Sequence, residues 1–428
     1  MNLQEILSNQ KAELESVNVS RLCSRREEAE FDLNSRLAQI VIGVRRSGKS
    51  TLCQKVLLQS GVSFAYINFD DENLVSLKAE NMNEVMSVLY RIYGDFTHLF
   101  IDEVQNLDGW PLFVNRLLRQ GMKLVLTGSN ANLLSGELAT HLNGRYNQIV
   151  LFPFSFAEYC AALDVDMKHQ TTKAAALRRR ALDTYLFDGG FPELIGEKNH
   201  RKYVLSLLSA IIKKDICKRY AVKYKETLSD MANGILDKFC QEISYQALAS
   251  EYQLNSIHTA KNYLQYLSNA YLITLLPKYS FKTSEKQQAR KCYAVDSAFI
   301  TNHEDVLQTE NLGWRLENIV AIELMRRYSG EYQQLFYLKK HLSFEVDFVV
   351  RELSTVKELI QVTYDFTNPS VKLYNREVGG LLKGSAATGC LNLTLIMMEG
   401  EEKDLVIDGK TIHYVSAVNW LTDRKSVV

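Results

Sequence analysis

Gly43-Val44-Arg45-Arg46-Ser47-Gly48-Lys49-Ser50-Thr51 is the stretch on which the reading of this chain turns. The apolar run Leu37 to Ile42 precedes it, and Thr51 to Gln59 follows with leucines and a valine at helical spacing. A buried strand therefore passes through a Gly-rich turn into a helix, and the pattern G-x-x-x-x-G-K-[ST] is complete. Gly43 and Gly48 let the backbone turn tightly, so that successive N–H groups face inward at the helix start and can wrap an anion. Lys49 then reaches the β- and γ-phosphates, and the Ser50 hydroxyl faces Mg²⁺. The expected pocket is one for a nucleoside triphosphate, lined by Gly43, Arg46, Ser47, Gly48, Lys49, Ser50 and Thr51.

A second motif supports the first. Thr97-His-Leu-Phe-Ile-Asp102-Glu103 is an apolar strand ending in two acids. At the C-terminal edge of a doubly wound sheet the first acid can hold the Mg²⁺ shell and the second can align and deprotonate water. Asp102 is assigned to magnesium and Glu103 to water activation. Phe64 to Phe69 and Lys123-Leu-Val-Leu-Thr127-Gly-Ser129-Asn130 read as further strands, the latter ending in small polar groups able to touch the γ-phosphate or the attacking water. Strands alternating with helices at this spacing predict a parallel sheet covered on both faces.

A length of 428 residues implies two to three domains. Lys+Arg and Asp+Glu both total 50, so no global field draws nucleic acid or an anionic membrane, and any such binding needs a local patch. The seven cysteines are scattered without a C-x-x-C pair, against a zinc site or a disulfide framework. No apolar run approaches a membrane span and the amino terminus is amphipathic and charged, so a cytoplasmic protein without a membrane partner is expected. Residues 2–28 read as helical, with Arg21, Arg25 and Arg26 on a solvated face.

These residues resemble the AAA+ branch of P-loop ATPases, on Gly43 to Thr51, on the strand ending Asp102-Glu103, and on Thr127 to Asn130 at the position of that class's first sensor. The resemblance implies ATP as the nucleotide, and no guanine-selective N-K-x-D stretch is apparent. It implies γ-phosphate sensing by Ser129 or Asn130. Arg145 precedes the strand read at Gln148 to Phe152, where members of the class place an arginine finger for a neighbouring subunit, which would require a homo-oligomer; a surface arginine pairing with a loop acid is the alternative. Asn68 matches a polar residue that restrains the water-activating glutamate in some members, or else caps the Asp70 turn. The turn Asp188-Gly-Gly-Phe-Pro-Glu193, followed by Lys214-Asp215-Ile216, looks like a bacterial and archaeal AAA-like subfamily with a carboxy-terminal domain of undetermined function.

Downstream, residues 155–237 read as a helical lid, in which Arg178 to Arg180 either supply an arginine for the phosphates or decorate a helix face. Residues 238–298 suggest a winged helix-turn-helix: a helix from Ser244 to Tyr252, a second from Ser256 to Ala270, and β-like stretches at Tyr271 to Leu276 and Lys291 to Val295. The second helix offers only His258 and Lys261 to DNA, whereas the wing is richer (Lys278, Lys282, Lys286, Arg290, Lys291), leaving DNA and protein both open as partners. Residues 299–428 run α-β-β-β-α-β and resemble the PD-(D/E)xK nuclease fold. Active members carry an acid and a lysine where this chain has Gln361 and Thr363. Glu317, Asp347 and Glu345 can still hold a weak metal site, but a fold kept for binding, without nuclease activity, is expected.

The expected architecture is thus an N-terminal helical segment (1–36), a P-loop NTPase core with a doubly wound parallel sheet (37–154), a helical lid, a winged helix and an α/β restriction-endonuclease-like domain. The expected activity is Mg²⁺-dependent ATP hydrolysis that rearranges the C-terminal domains. A nucleotide-regulated DNA- or protein-binding module with little turnover is the alternative, with a metal-dependent nuclease third.

Overall fold

The computed structural model describes residues 2–129, 142, 144–280, 290–303, 311–328, 333–340 and 343–423. Its contacts divide the chain into two compact units, Met1–Phe152 with Asn269–Tyr271, and Pro153–Ser268 with Leu272–Val428.

In the first unit, β1 (Ala38–Ile42), β2 (Phe64–Asn68), β3 (His98–Asp102), β4 (Lys123–Gly128) and β5 (Tyr146–Val150) form one sheet in the order β2-β3-β4-β1-β5. All neighbours are parallel. Parallel strands need crossovers, here made by α2 (Lys49–Ser60), α3 (Met82–Tyr93) and α4 (Trp110–Arg119) between successive strands from β1 to β4. The strands are buried on both faces, and their alternation assigns each side chain to a layer. Ile40, Ile42, Leu99, Ile101, Leu124 and Leu126 enter one core; Val41, Phe100 and Val125 enter the other. The register pairs Asn68 with Asp102, Ile42 with Gly128, and Ile42 with Val150, so all five strands end on one edge. The Gly43 loop, the Asp102-Glu103 pair and Ser129 leave the sheet there.

The amino-terminal segment departs from the sequence expectation. Helix α1 (Leu3–Glu15) is closed by an Asn2–Glu5 capping box, and Leu7 is buried in the sheet's core. Helix does not continue to residue 28; only short 3₁₀ turns follow, at Val19–Arg21 and Arg26–Glu30. At the break, the Asn18 side chain accepts from the Ser20 N–H, a local bond that competes with helix.

The second unit begins with helices α5 (Phe156–Ala162), α6 (Thr172–Asp188), α7 (His200–Ala210) and α8 (Lys225–Asp237), and α7 runs on as a π-helix over Ile211–Lys218. The Gly189-Gly190 turn has a packing reason. A Cβ on Gly190 would stand 2.2 Å from the Phe154 carbonyl, and one on Gly189 1.7 Å from Asp296 Oδ1. The Asp296 carboxylate accepts from the N–H groups of Gly190 (2.8 Å) and Ala298 (2.9 Å).

Then come β6 (Glu242–Ile243), α9 (Tyr245–Glu251), α10 (Ile257–Asn269), β7 (Ile273–Pro277) and β8 (Arg290–Ala294). The three strands make an antiparallel sheet, β6-β8-β7, in which β6 is a strand the sequence reading lacked. Two residues long, β6 is too short to show an alternation. After α11 (Ser297–Asn302) and α12 (Leu312–Arg327), strands β9 (Gln333–Lys340), β10 (Phe344–Glu352) and β11 (Thr355–Asp365), helix α13 (Val371–Thr388), and strands β12 (Leu393–Glu399), β13 (Lys403–Ile407) and β14 (Lys410–Ser416) follow, before the short α14 (Ala417–Thr422). The six strands form a mixed sheet, β13-β14-β12-β11-β10-β9. The order from α12 to β12 is the expected α-β-β-β-α-β. Among the described residues no helix is long and apolar enough to cross a membrane.

Candidate nucleotide site

The loop after β1 is held in shape from below. Gly43 has a φ of 151°, and a Cβ there would meet the Leu151 carbonyl oxygen at 2.1 Å. Leu151 in turn donates its N–H to Ile42 O at 2.7 Å, so the end of β5 fixes the loop's base. Arg46 (φ 68°) and Gly48 (φ 95°) take left-handed conformations, the alternation that turns successive amides toward one concavity. Ser47 is fully buried and its Oγ has no hydrogen-bond partner among the described residues. Arg46 and Thr51 are exposed.

Arg25 completes this support and corrects an expectation. It is only 8 % exposed, and its guanidinium donates to Ser47 O (3.1 Å) and Phe152 O (2.7 Å), tying the loop to the end of β5. A charged residue beside polar neighbours looked solvated; its acceptors are backbone carbonyls, which sequence does not mark.

Lys49 is buried at the start of α2, and its ammonium donates to Gly43 O (3.2 Å) and Val44 O (3.0 Å). The Ser50 hydroxyl donates to Asp102 Oδ1 at 2.8 Å. The structure thus brings the two motifs together across the sheet. Thr127 Oγ1 donates to the same Asp102 oxygen and accepts the Glu103 N–H at 2.9 Å. Burial pushes the Asp102 carboxyl up, with the neighbouring Glu103 charge adding to it; the Thr127 and Ser50 hydrogen bonds and Lys49 pull the other way. A hydroxyl and a carboxylate are hard oxygen donors, the chemistry Mg²⁺ prefers. Among the described residues no group of three or more His, Cys, Asp or Glu could hold a metal.

Glu103 follows with φ 50°. Its Oε2 accepts from Gln105 Nε2, which also lies 3.4 Å from Ser129 Oγ. Gln105 is the residue sequence reasoning missed here; Thr127 stood in the stretch read as the first sensor, but its bond to Asp102 was not foreseen. Asn68 does not reach Glu103 by any hydrogen bond given by the structure: its Oδ1 accepts from the Asp70 N–H at 2.9 Å, the turn-capping alternative. Arg145 is exposed just before β5, and Asn130 lies outside the described residues. Arg178 in the second unit is buried and donates to Asp166 O (2.8 Å) and His169 O (3.0 Å), while Arg179 bonds Met398 O (3.0 Å) and Asp183 (3.2 Å). Both are engaged within their own unit.

The second unit holds a polar cavity of about 480 Å³, lined by Glu317, Glu345, Asp347, Gln361, Thr363 and Glu377 among others. Its centre is Lys291 from β8. The ammonium lies 2.8 Å from Glu345, 3.0 Å from Glu317 and 3.6 Å from Asp347. Burial would push Lys291 down, but Glu317, Asp347 and Glu345 together hold it well above the usual lysine range. Burial pushes Asp347 up, as does Glu317. Lys291 is therefore no exposed wing cation, contrary to expectation, and Lys282 and Lys286 lie outside the described residues. A lysine does enter the acid cluster, from a different strand than the Gln361–Thr363 stretch.

Sheet, loop and paired acids define a P-loop protein of the AAA ATPase type. Residues 35–160 match the AAA domain family and residues 179–310 a domain of unknown function, DUF8612. The uncharacterized protein MJ1544 of Methanocaldococcus jannaschii is 33 % identical over 386 residues, covering 86 % of this chain and 84 % of that one. The chain belongs to the same family as this archaeal protein. An uncharacterized protein of Haemophilus influenzae is 31 % identical over 90 % of this chain and 94 % of its own length. Among solved structures, a Walker-type ATPase of Pyrococcus abyssi aligns over 65 % of this chain and 95 % of its own, at 16 % identity and a TM-score of 0.43.

Proposed function

We propose that the protein is a Mg²⁺-dependent ATPase whose turnover rearranges C-terminal binding domains. The observation that carries this reading is the Ser50 to Asp102 hydrogen bond of 2.8 Å at the mouth of the Gly43 loop, with Glu103 beside it. In this reading the loop amides from Gly43 to Thr51 and the Lys49 ammonium grip the phosphates, and Lys49 exchanges its loop carbonyls for phosphate oxygens. Ser50 and Asp102 hold the cation, which when bound neutralises charge on the β- and γ-phosphates. Glu103 takes the proton of the attacking water. Ser129, with Asn130, senses the γ-phosphate, and Arg145 acts on a neighbouring subunit's nucleotide in a homo-oligomer. Residues 155–237 serve as lid, 238–298 as a winged helix and 299–428 as a nuclease-like binding domain for DNA or protein. The test is a pair of variants: Lys49→Ala loses nucleotide binding, and Glu103→Gln keeps binding but stops turnover. Undiminished hydrolysis in Glu103→Gln would remove the role given to that carboxylate.

One observation favours a second reading for the far end of the chain. Lys291 supplies an ammonium to Glu317, Glu345 and Asp347, the residue type that Thr363 could not provide for phosphodiester cleavage. Cleavage of DNA that is abolished in Asp347→Ala would support it; no cleavage by the purified protein, with or without Mg²⁺ or Mn²⁺, would leave the cavity a binding site.

A further inference from the structure

Gln105 lies on the short turn Val104–Asn106 that follows Glu103, and its amide is split between two tasks. The Nε2 group donates to Glu103 Oε2 and lies 3.4 Å from Ser129 Oγ. The other end, Oε1, is buried and has no hydrogen-bond partner among the described residues. The reverse placement of the amide would set a carbonyl oxygen against a carboxylate, so the Glu103 contact itself fixes which atom is the donor. A buried acceptor without a donor is costly and calls for a partner.

We propose that Gln105 and Glu103 together hold the attacking water, Gln105 through its unpaired carbonyl oxygen and through the hydrogen bond that fixes the Glu103 carboxylate. With Oε2 occupied by the amide, Glu103 keeps Oε1 for the water. One O–H of the water donates a hydrogen bond to Glu103 Oε1 and the other to Gln105 Oε1, which turns a lone pair toward the γ-phosphorus. As the water oxygen bonds to phosphorus, its first proton passes to Glu103 and the bond to the bridging oxygen breaks, leaving ADP and phosphate. Held by two acceptors, the nucleophile loses orientational freedom before reaction instead of during it. The amide also ties the base to Ser129, so the residue beside the γ-phosphate and the base share one donor.

This inference rests on the ATPase reading, and the experiment separates the two. ATP turnover and nucleotide affinity are measured for the full chain and for Gln105→Ala and Gln105→Leu. Positioning of one water predicts a kcat lower by about 100-fold, with KM and nucleotide Kd within about threefold of wild type. Gln105→Asn, which keeps an amide one methylene short, recovers part of the loss and is the variant to read should the others fail to fold. If wild type neither binds nor hydrolyses ATP, the ATPase reading fails. If wild type turns over and the variants stay within about threefold in kcat, or lose affinity as much as rate, the role given to Gln105 fails alone.

Discussion

Removing the Lys291 ammonium should cost more stability than any surface charge in the chain. The side chain is 6 % exposed and stands within 3.6 Å of three carboxylates, two of them, Glu317 and Asp347, as buried as itself. Lys291→Met keeps most of the volume and leaves the Glu317 and Asp347 charges without their ammonium, while Glu345 keeps Lys339 at 3.4 Å. Breaking a buried ion pair by removing one partner costs about 3–5 kcal/mol, whereas an exposed pair is worth ~1 kcal/mol or less. For a unit of this size that corresponds to a fall in Tm of roughly 6–20 °C, at about 2–4 °C per kcal/mol. The deficit must also depend on pH. Asp347 is already pushed up by burial and by Glu317, with Lys291 opposing, so loss of Lys291 raises it further. A carboxyl whose folded pKa lies above its unfolded value favours the native state at low pH, and that advantage is lost as pH rises through the folded value. Calorimetry of wild type and Lys291→Met should therefore show the gap widest near pH 8 and narrower near pH 5. A gap of ~1 kcal/mol or less at pH 8, or one that does not change with pH, would refute the reasoning.

Two further outcomes follow from buried charge. Arg25→Ala should weaken nucleotide binding and cost about 3–6 kcal/mol, because its two bonds to Ser47 O and Phe152 O each involve a charged donor; urea unfolding and nucleotide titration measure the two effects, and Arg25→Lys, lacking the planar fork, should restore little. Burial pushes Asp296 up to about 7, so the native state holds a proton that the unfolded chain releases near 3.8, and stability falls as pH rises between these values. That term amounts to roughly 4 kcal/mol. Asp296→Asn should flatten the dependence, which urea midpoints at pH 4, 5.5 and 8 for wild type and variant would reveal as a shrinking difference between the two pH extremes.

The elements that sequence made legible are those whose signal is local. Each of the first four sheet strands is an apolar run ended by turn residues, and the Gly43 loop and the Asp102-Glu103 pair sit at strand ends where the parallel register must bring them to one edge. What stayed hidden are cations defined by a point in space. Arg25 lies in the polar stretch Arg25-Arg-Glu-Glu-Ala-Glu30, indistinguishable from a solvated face, because its acceptors are carbonyls on the loop after β1 and at the end of β5. Lys291 reads as one of several wing lysines, yet a cluster of carboxylates from α12 and β10 needs an ammonium at its centre, and any strand that passes there can supply it. The strand carrying Gln361 offers only Thr363 at the position where a lysine would stand. Electrostatics sets a position for the charge and leaves its origin in the chain free, so β8 satisfied the cluster while its sequence continued to look like the surface of a different domain.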